Sequence, residues 1–169
     1  PHPAGSTLIY HNLPQTKVEK QLTLAAKYMT EMNYLEAQEA YTEALSIDEG
    51  SVRAYRGLAD DYAAQGQLDE AAEILHQGYE TTQSEILLQN YCATVLNSVV
   101  EHVNEKTAGL DDIRSCLTVL ESDPDNESVR SVLKNCVQQV TVQEDTASLM
   151  LDELDGTSDF DEYADVAEK

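Results

Sequence analysis

Apolar residues recur along most of the chain at intervals of three and four. Leu24, Ala25 and Tyr28 are followed by Ala37, Tyr41 and Ala44, and later stretches keep the same rhythm through Leu110, Ile113, Leu117 and Leu120. Val129, Val132, Leu133, Cys136, Val137 and Val140 close the series. This spacing lines one face of a helix, whereas a half-buried strand needs strict alternation. All four prolines lie at 1, 3, 14 and 124, so residues 15–123 contain none of the strongest helix breakers. The pattern predicts helices near 17–32, 35–47, 51–65, 68–81, 84–104, 110–121 and 125–142, with no sheet over 15–143. Thr16-Lys17-Val18-Glu19 reads as a capping box for the first helix. Asp123 reads as the cap of a helix whose first residue is Pro124. The expected core is Leu24, Ala25, Tyr28, Ala37, Tyr41, Leu58, Ala59, Tyr62, Ala71 and Leu75. The fold class is all-α.

The chain also repeats itself. Sliding 18–51 by 34 residues onto 52–85 superposes seven identities: Val18/Val52, Leu24/Leu58, Ala25/Ala59, Tyr28/Tyr62, Glu36/Glu70, Ala37/Ala71 and Glu39/Glu73. Each copy turns once inside, at Asn33 and at Gly66-Gln67. With Tyr55-x-x-Leu58-Ala59-x-x-Tyr62 followed by Ala71-x-x-x-Leu75-x-x-Gly78, this resembles the tetratricopeptide repeat. The resemblance implies a right-handed α-solenoid of antiparallel helical hairpins. Repeats then cover 18–51 and 52–85, a degenerate third covers 86–124, and a terminal cap covers 125–143. Residues 1–15 are expected to be a leader or linker. Residues 144–169, with ten acids and one base, are expected to form an acidic, largely disordered tail, or a short docking helix over 147–154 ahead of a disordered end. No initiator methionine opens the chain, so a domain excised from a longer protein is expected. The opening of the first repeat is also similar to extracytoplasmic repeat domains of Gram-positive lipoproteins. That similarity favours a cell-surface, extracytoplasmic location over a cytoplasmic one, with any anchor upstream.

Charge narrows the partners. The 169 residues carry 32 acids and 10 bases, a net charge of −22, which argues against nucleic acid and anionic membranes. No apolar run exceeds three residues, so no segment is expected to insert in a membrane. Cys92, Cys116 and Cys136 make neither a zinc pattern nor a disulfide framework and read as small core residues. His2, His11, His76 and His102 are scattered, and no phosphate loop, nucleophile elbow or calcium loop is present. The expectation is a non-enzyme without cofactor or metal.

The resemblance places a partner-binding groove on the first helix of each repeat. Its lining would include Glu19 and Leu22, then Arg53, Arg56, Gly57 and Asp60, then Leu87, Asn90, Tyr91 and Thr94. Family members that grip chaperone C-termini use Lys and Asn there, but Leu22, Ala26 and Gly57 occupy those places here. Arg53 and Arg56 are instead the expected anchors for an acidic partner, with Asp60 as the counter-ion of Arg56 at i,i+4. Asn90, Tyr91 and Thr94 would address the partner's backbone. The implied function is non-catalytic binding of a peptide or partner protein. An acidic secretion-type chaperone and a structural or oligomerisation spacer are the alternatives.

Overall fold

The computed structural model describes residues 13–153. Seven helices fill it: α1 Pro14–Thr30, α2 Tyr34–Ile47, α3 Val52–Ala64, α4 Leu68–Thr82, α5 Glu85–Asn104, α6 Leu110–Ser122 and α7 Glu127–Glu153. Among the described residues there is no strand. The chain divides into two compact units after Val95. In the first, α1 packs on α2, α2 on α3 and α3 on α4, while α1 and α3 also touch. In the second, α6 packs on α7.

Small residues set the spacing in the first unit. Ala25, Ala37, Ala59 and Ala71 are all buried, and so are Tyr41, Leu58 and Leu75. Leu24, Tyr28 and Tyr62 are half-buried against them. At two glycines the approach is closer than any side chain permits. A Cβ on Gly57 would stand 2.2 Å from Cε1 of Tyr41, and one on Gly78 would stand 2.6 Å from Cγ of Tyr55. The rings of Tyr41 and Tyr55 therefore press against helix backbone.

Hairpin turns repeat with the same 34-residue step. Met32 and Gly66 both adopt the left-handed conformation, at φ 58° and 76°. The N–H of Asn33 reaches the Tyr28 carbonyl and that of Gln67 the Tyr62 carbonyl, each at 2.9 Å. The N–H groups of Met32 and Gly66 close the inner bonds to Met29 and Ala63. Both turns are Schellman motifs, which need one residue at positive φ.

Several local expectations fail, each for a readable reason. α1 starts at Pro14, whose fixed φ suits the first helical position, and its cap residue Leu13 makes no side-chain bond. The Thr16–Glu19 capping box therefore does not form; Glu19 pairs with Arg53 instead. α7 starts at Glu127 rather than Pro124, because the Asn126 side chain accepts from the Val129 N–H at 3.0 Å and donates to Asp123. α7 then runs to Glu153 rather than stopping near 142, since no Gly or Pro interrupts 127–153. It takes in most of the segment for which a separate short helix is expected. Phe160, Tyr163 and the leader apolar run Leu8-Ile9-Tyr10 lie outside the described residues.

In the second unit all three α-helical segments meet polar cross-links. His102 Nδ1 donates to Asp112 Oδ1 at 2.7 Å, and the Gly109 N–H donates to Asp112 Oδ2 at 2.9 Å. Gln139 on α7 accepts from the Ala108 N–H and donates to the Val103 carbonyl. Cys116 and Cys136 are fully enclosed, and burial pushes the Cys116 thiol up to about 11. They act as small core residues, as does Cys92 in the first unit.

The turn geometry carries a direct test. Met32 is exposed and bears the cost of left-handed backbone that Gly66 avoids, about 1 kcal/mol. Met32→Gly should raise the unfolding free energy by about 0.5–1 kcal/mol, and Gly66→Ala should lower it by about 1 kcal/mol. Urea titrations of the two variants read both signs. A destabilising Met32→Gly would mean that the Met32 side chain packs in a way its exposure denies.

Candidate functional site

The first-helix face of unit one is built by α1 and α3, which the 34-residue repeat brings side by side. Residues at equal repeat positions meet there. Arg53 Nη1 reaches Glu19 Oε1 at 2.5 Å, one repeat apart in sequence. Both side chains remain mostly in solvent, at 65% and 59% exposed, so the pair is worth at most about 1 kcal/mol. It bridges the rim of a cleft of about 580 Å³, also lined by Pro14, Gln15, Val18, Leu22, Ile47, Asp48 and Ser51. The floor is apolar and the rim polar.

The expected site residues divide accordingly. Arg53 lines the cleft, but in company with Glu19 rather than free. Arg56 is exposed on α3 and forms no ion pair among the described residues. The expected Arg56–Asp60 bridge is therefore absent, although Arg56 lies near enough to favour the charged form of Asp60. Asn90 is partly covered and its amide donates to the Ile86 carbonyl at 2.6 Å, while the Thr94 hydroxyl donates to the Asn90 carbonyl at 2.8 Å. Both donors are used inside α5. Tyr91 does not line an open face: it is 4% exposed, and its ring stacks on His76 with centroids 4.7 Å apart. Leu22 and Leu87 are likewise buried, because they sit one position nearer the core than the implied lining allows.

The residue that sequence reasoning passed over is Asp61. It is fully buried, at 0% exposure. One carboxylate oxygen accepts from Gln65 Nε2 at 2.7 Å, and the other, Oδ2, has no hydrogen-bond partner among the described residues. Burial pushes the Asp61 carboxyl above the usual carboxylate range, with the Gln65 bond opposing. Burial does the same to Asp60, opposed by Arg56. The neighbouring Tyr41 phenol is raised by burial first, then by Asp60 and Asp61, while Arg53 pulls it down. Two carboxylates and one guanidinium thus act together on the ring that lies over Gly57. In sequence Asp60-Asp61 looks like any solvated acidic pair, yet the fold buries the second of them and leaves the first exposed.

A carboxyl whose folded pKa exceeds its unfolded value penalises the folded state above the folded pKa. The penalty is relieved as pH falls through that pKa toward the unfolded value of 3.8. Asp61→Asn removes the charge and keeps an acceptor for Gln65. It should therefore stabilise the protein at pH 7 by about 1 kcal/mol, with the gain shrinking as pH approaches 4. Denaturant midpoints at both pH values check it, and an Asn variant that is weaker at pH 7 would contradict the assignment.

No helix among the described residues is long and apolar enough to cross a membrane. No curated protein matches the chain. Residues 28–93, which cover most of both hairpins of unit one, match the family model described as tetratricopeptide repeat. The 34-residue register, the paired Schellman turns and the Ala-lined helix contacts agree with that match to the tetratricopeptide repeat, a family that generally mediates protein–protein interaction and is typically non-catalytic.

Proposed function

We propose that the protein is a non-catalytic binding module and that its partner, a peptide or an extended segment of another protein, lies on the α1/α3 face of unit one. The observation that carries this reading is the cleft at the start of both helices. Val18, Leu22 and Ile47 offer an apolar floor for one side chain, and Arg53 stands at its rim. Arg56, one turn further along α3, adds a second guanidinium that no carboxylate among the described residues holds. A guanidinium fork meets a carboxylate bidentately, so an acidic side chain of the partner is the natural ligand for this end of α3. Arg53 is released from Glu19 at small cost, because that pair is exposed. Asn90 and Thr94 belong to the same reading as flanking polar positions, while Tyr91, buried and stacked on His76, acts in the packing of α5.

The test uses a partner recovered by affinity capture with the full 169-residue chain. Arg53→Glu together with Arg56→Glu should weaken that partner by about 2–4 kcal/mol, combining lost pairs with new repulsion. Stability should fall by no more than about 1 kcal/mol, since both positions are exposed. Calorimetric titration of wild type and double variant at two salt concentrations reads the effect. Unchanged affinity would move the site off this face.

A further inference from the structure

The charges on α3 are ordered: two guanidinium groups at Arg53 and Arg56, then two carboxylates at Asp60 and Asp61. The carboxylate end is incomplete. Asp61 is wholly enclosed, yet its Oδ2 meets no donor among the described residues, and its other oxygen depends on the side-chain amide of exposed Gln65. An unpaired buried carboxylate is costly unless something compensates it. Nothing close by in sequence does: after Arg56 the next lysine or arginine is Lys106. Arg56 itself forms no ion pair with Asp60, so it leaves this end open. Two carboxylates with one amide do not make a cage for a divalent metal ion, which takes six or more oxygens in the case of calcium. They do suit a single ammonium or guanidinium.

We propose, resting on the binding face assigned above, that the Asp60–Asp61 end of α3 receives a cationic side chain of the partner, a lysine or an arginine. Its nitrogen donates to Asp61 Oδ2 once the Gln65 side chain moves aside, and the preceding Asp60 adds a second negative charge at the mouth. Gln65 can yield because its side chain is exposed and stands one turn beyond Asp61, at the C-cap of α3. The two ends of the site then define a partner motif. From the midpoint of Arg53 and Arg56 to that of Asp60 and Asp61 is six residues of helix, about 9 Å. An extended segment covers that distance in about three residues. The partner therefore presents an acidic and a basic side chain about three positions apart. This contrasts with a purely acidic ligand, which the charge of −22 on the whole chain would repel.

The experiment needs no identified partner. The full chain is titrated with N-acetyl-lysine amide, and with its uncharged norleucine counterpart as control, while amide NMR spectra are recorded. The lysine probe should give saturable shifts centred on the Gln65 side-chain amide and the backbone N–H groups of 60–65. The norleucine probe should give none there. Asp61→Asn and Asp60→Asn should each weaken the response at least fivefold; the first is expected to fold more stably than wild type, so loss of structure does not confuse the result. The inference is overturned if Asp61→Asn responds like wild type. It is equally overturned if the shifts spread evenly over the exposed carboxylates Glu36, Glu39, Glu70 and Glu73. Failure here, with the Arg53/Arg56 variant still losing its partner, removes only the cation site. An Arg variant that keeps its partner removes the face itself.

Discussion

Backbone must approach backbone in the first unit, and that constraint organises the rest. Alanine fills Ala25, Ala37, Ala59 and Ala71, all within the core, and glycine fills the two places where an aromatic ring lies directly on a helix. Closely packed interiors have no spare volume, so one methyl group at Gly57 would have to displace the Tyr41 ring. α1 and α3 also touch, which is why positions 34 residues apart, such as Glu19 and Arg53, can pair across them. Packing thus determines which charges meet.

That matters because bases are scarce. Ten lysines and arginines face 32 acids, and most carboxylates on the helices stay in solvent where water screens them. Exposed acids such as Glu36, Glu39, Glu70 and Glu73 need no partner, since repulsion between solvated charges is weak. Asp61 is different because its second oxygen is enclosed and meets no donor among the described residues. A desolvated charge of this kind lowers stability and is retained where binding or specificity requires it. The cost is modest in size and confined to one end of one helix, beside the only two arginines of unit one.

Helix positions and the 34-residue period were legible in the sequence because both follow from side-chain periodicity, which backbone hydrogen bonding converts directly into structure. Leu58, Ala59, Ala71 and Leu75 are core residues on that basis alone. Caps were less legible. Thr16 and Asp123 have the right chemistry, but Pro14 and Asn126 compete for the same helix ends, and competition between neighbours is not visible in a motif. Site residues were the least legible. Tyr91 looks like a groove residue until His76 is seen stacked on it, and Asp61 looks solvated although the fold encloses it completely. Both errors concern long-range contacts, which set burial and which a linear pattern does not contain.

The third hairpin shows how far the repeat logic extends once the period is lost. In the first two hairpins the residue whose carbonyl closes the Schellman turn is Tyr28 or Tyr62, and the third residue of the following helix is Glu36 or Glu70. Eight residues separate them in each case. After α5 the turn forms again, with Lys106 at positive φ and the Thr107 N–H on the His102 carbonyl at 2.8 Å. Ten residues later the third position of α6 is Asp112. An aromatic ring thus still precedes the turn and a carboxylate still opens the next helix, where the helix dipole favours it. Two extra residues let them touch: His102 holds Asp112 at 2.7 Å, a contact absent from the hairpins that keep tyrosine and glutamate. A longer loop has more conformations to lose on folding, and the His102–Asp112 bond together with the Gln139 side chain on Val103 and Ala108 offsets that loss. The departure from 34 residues is therefore compensated locally, by polar contacts in place of the tight glycine turn at Gly66.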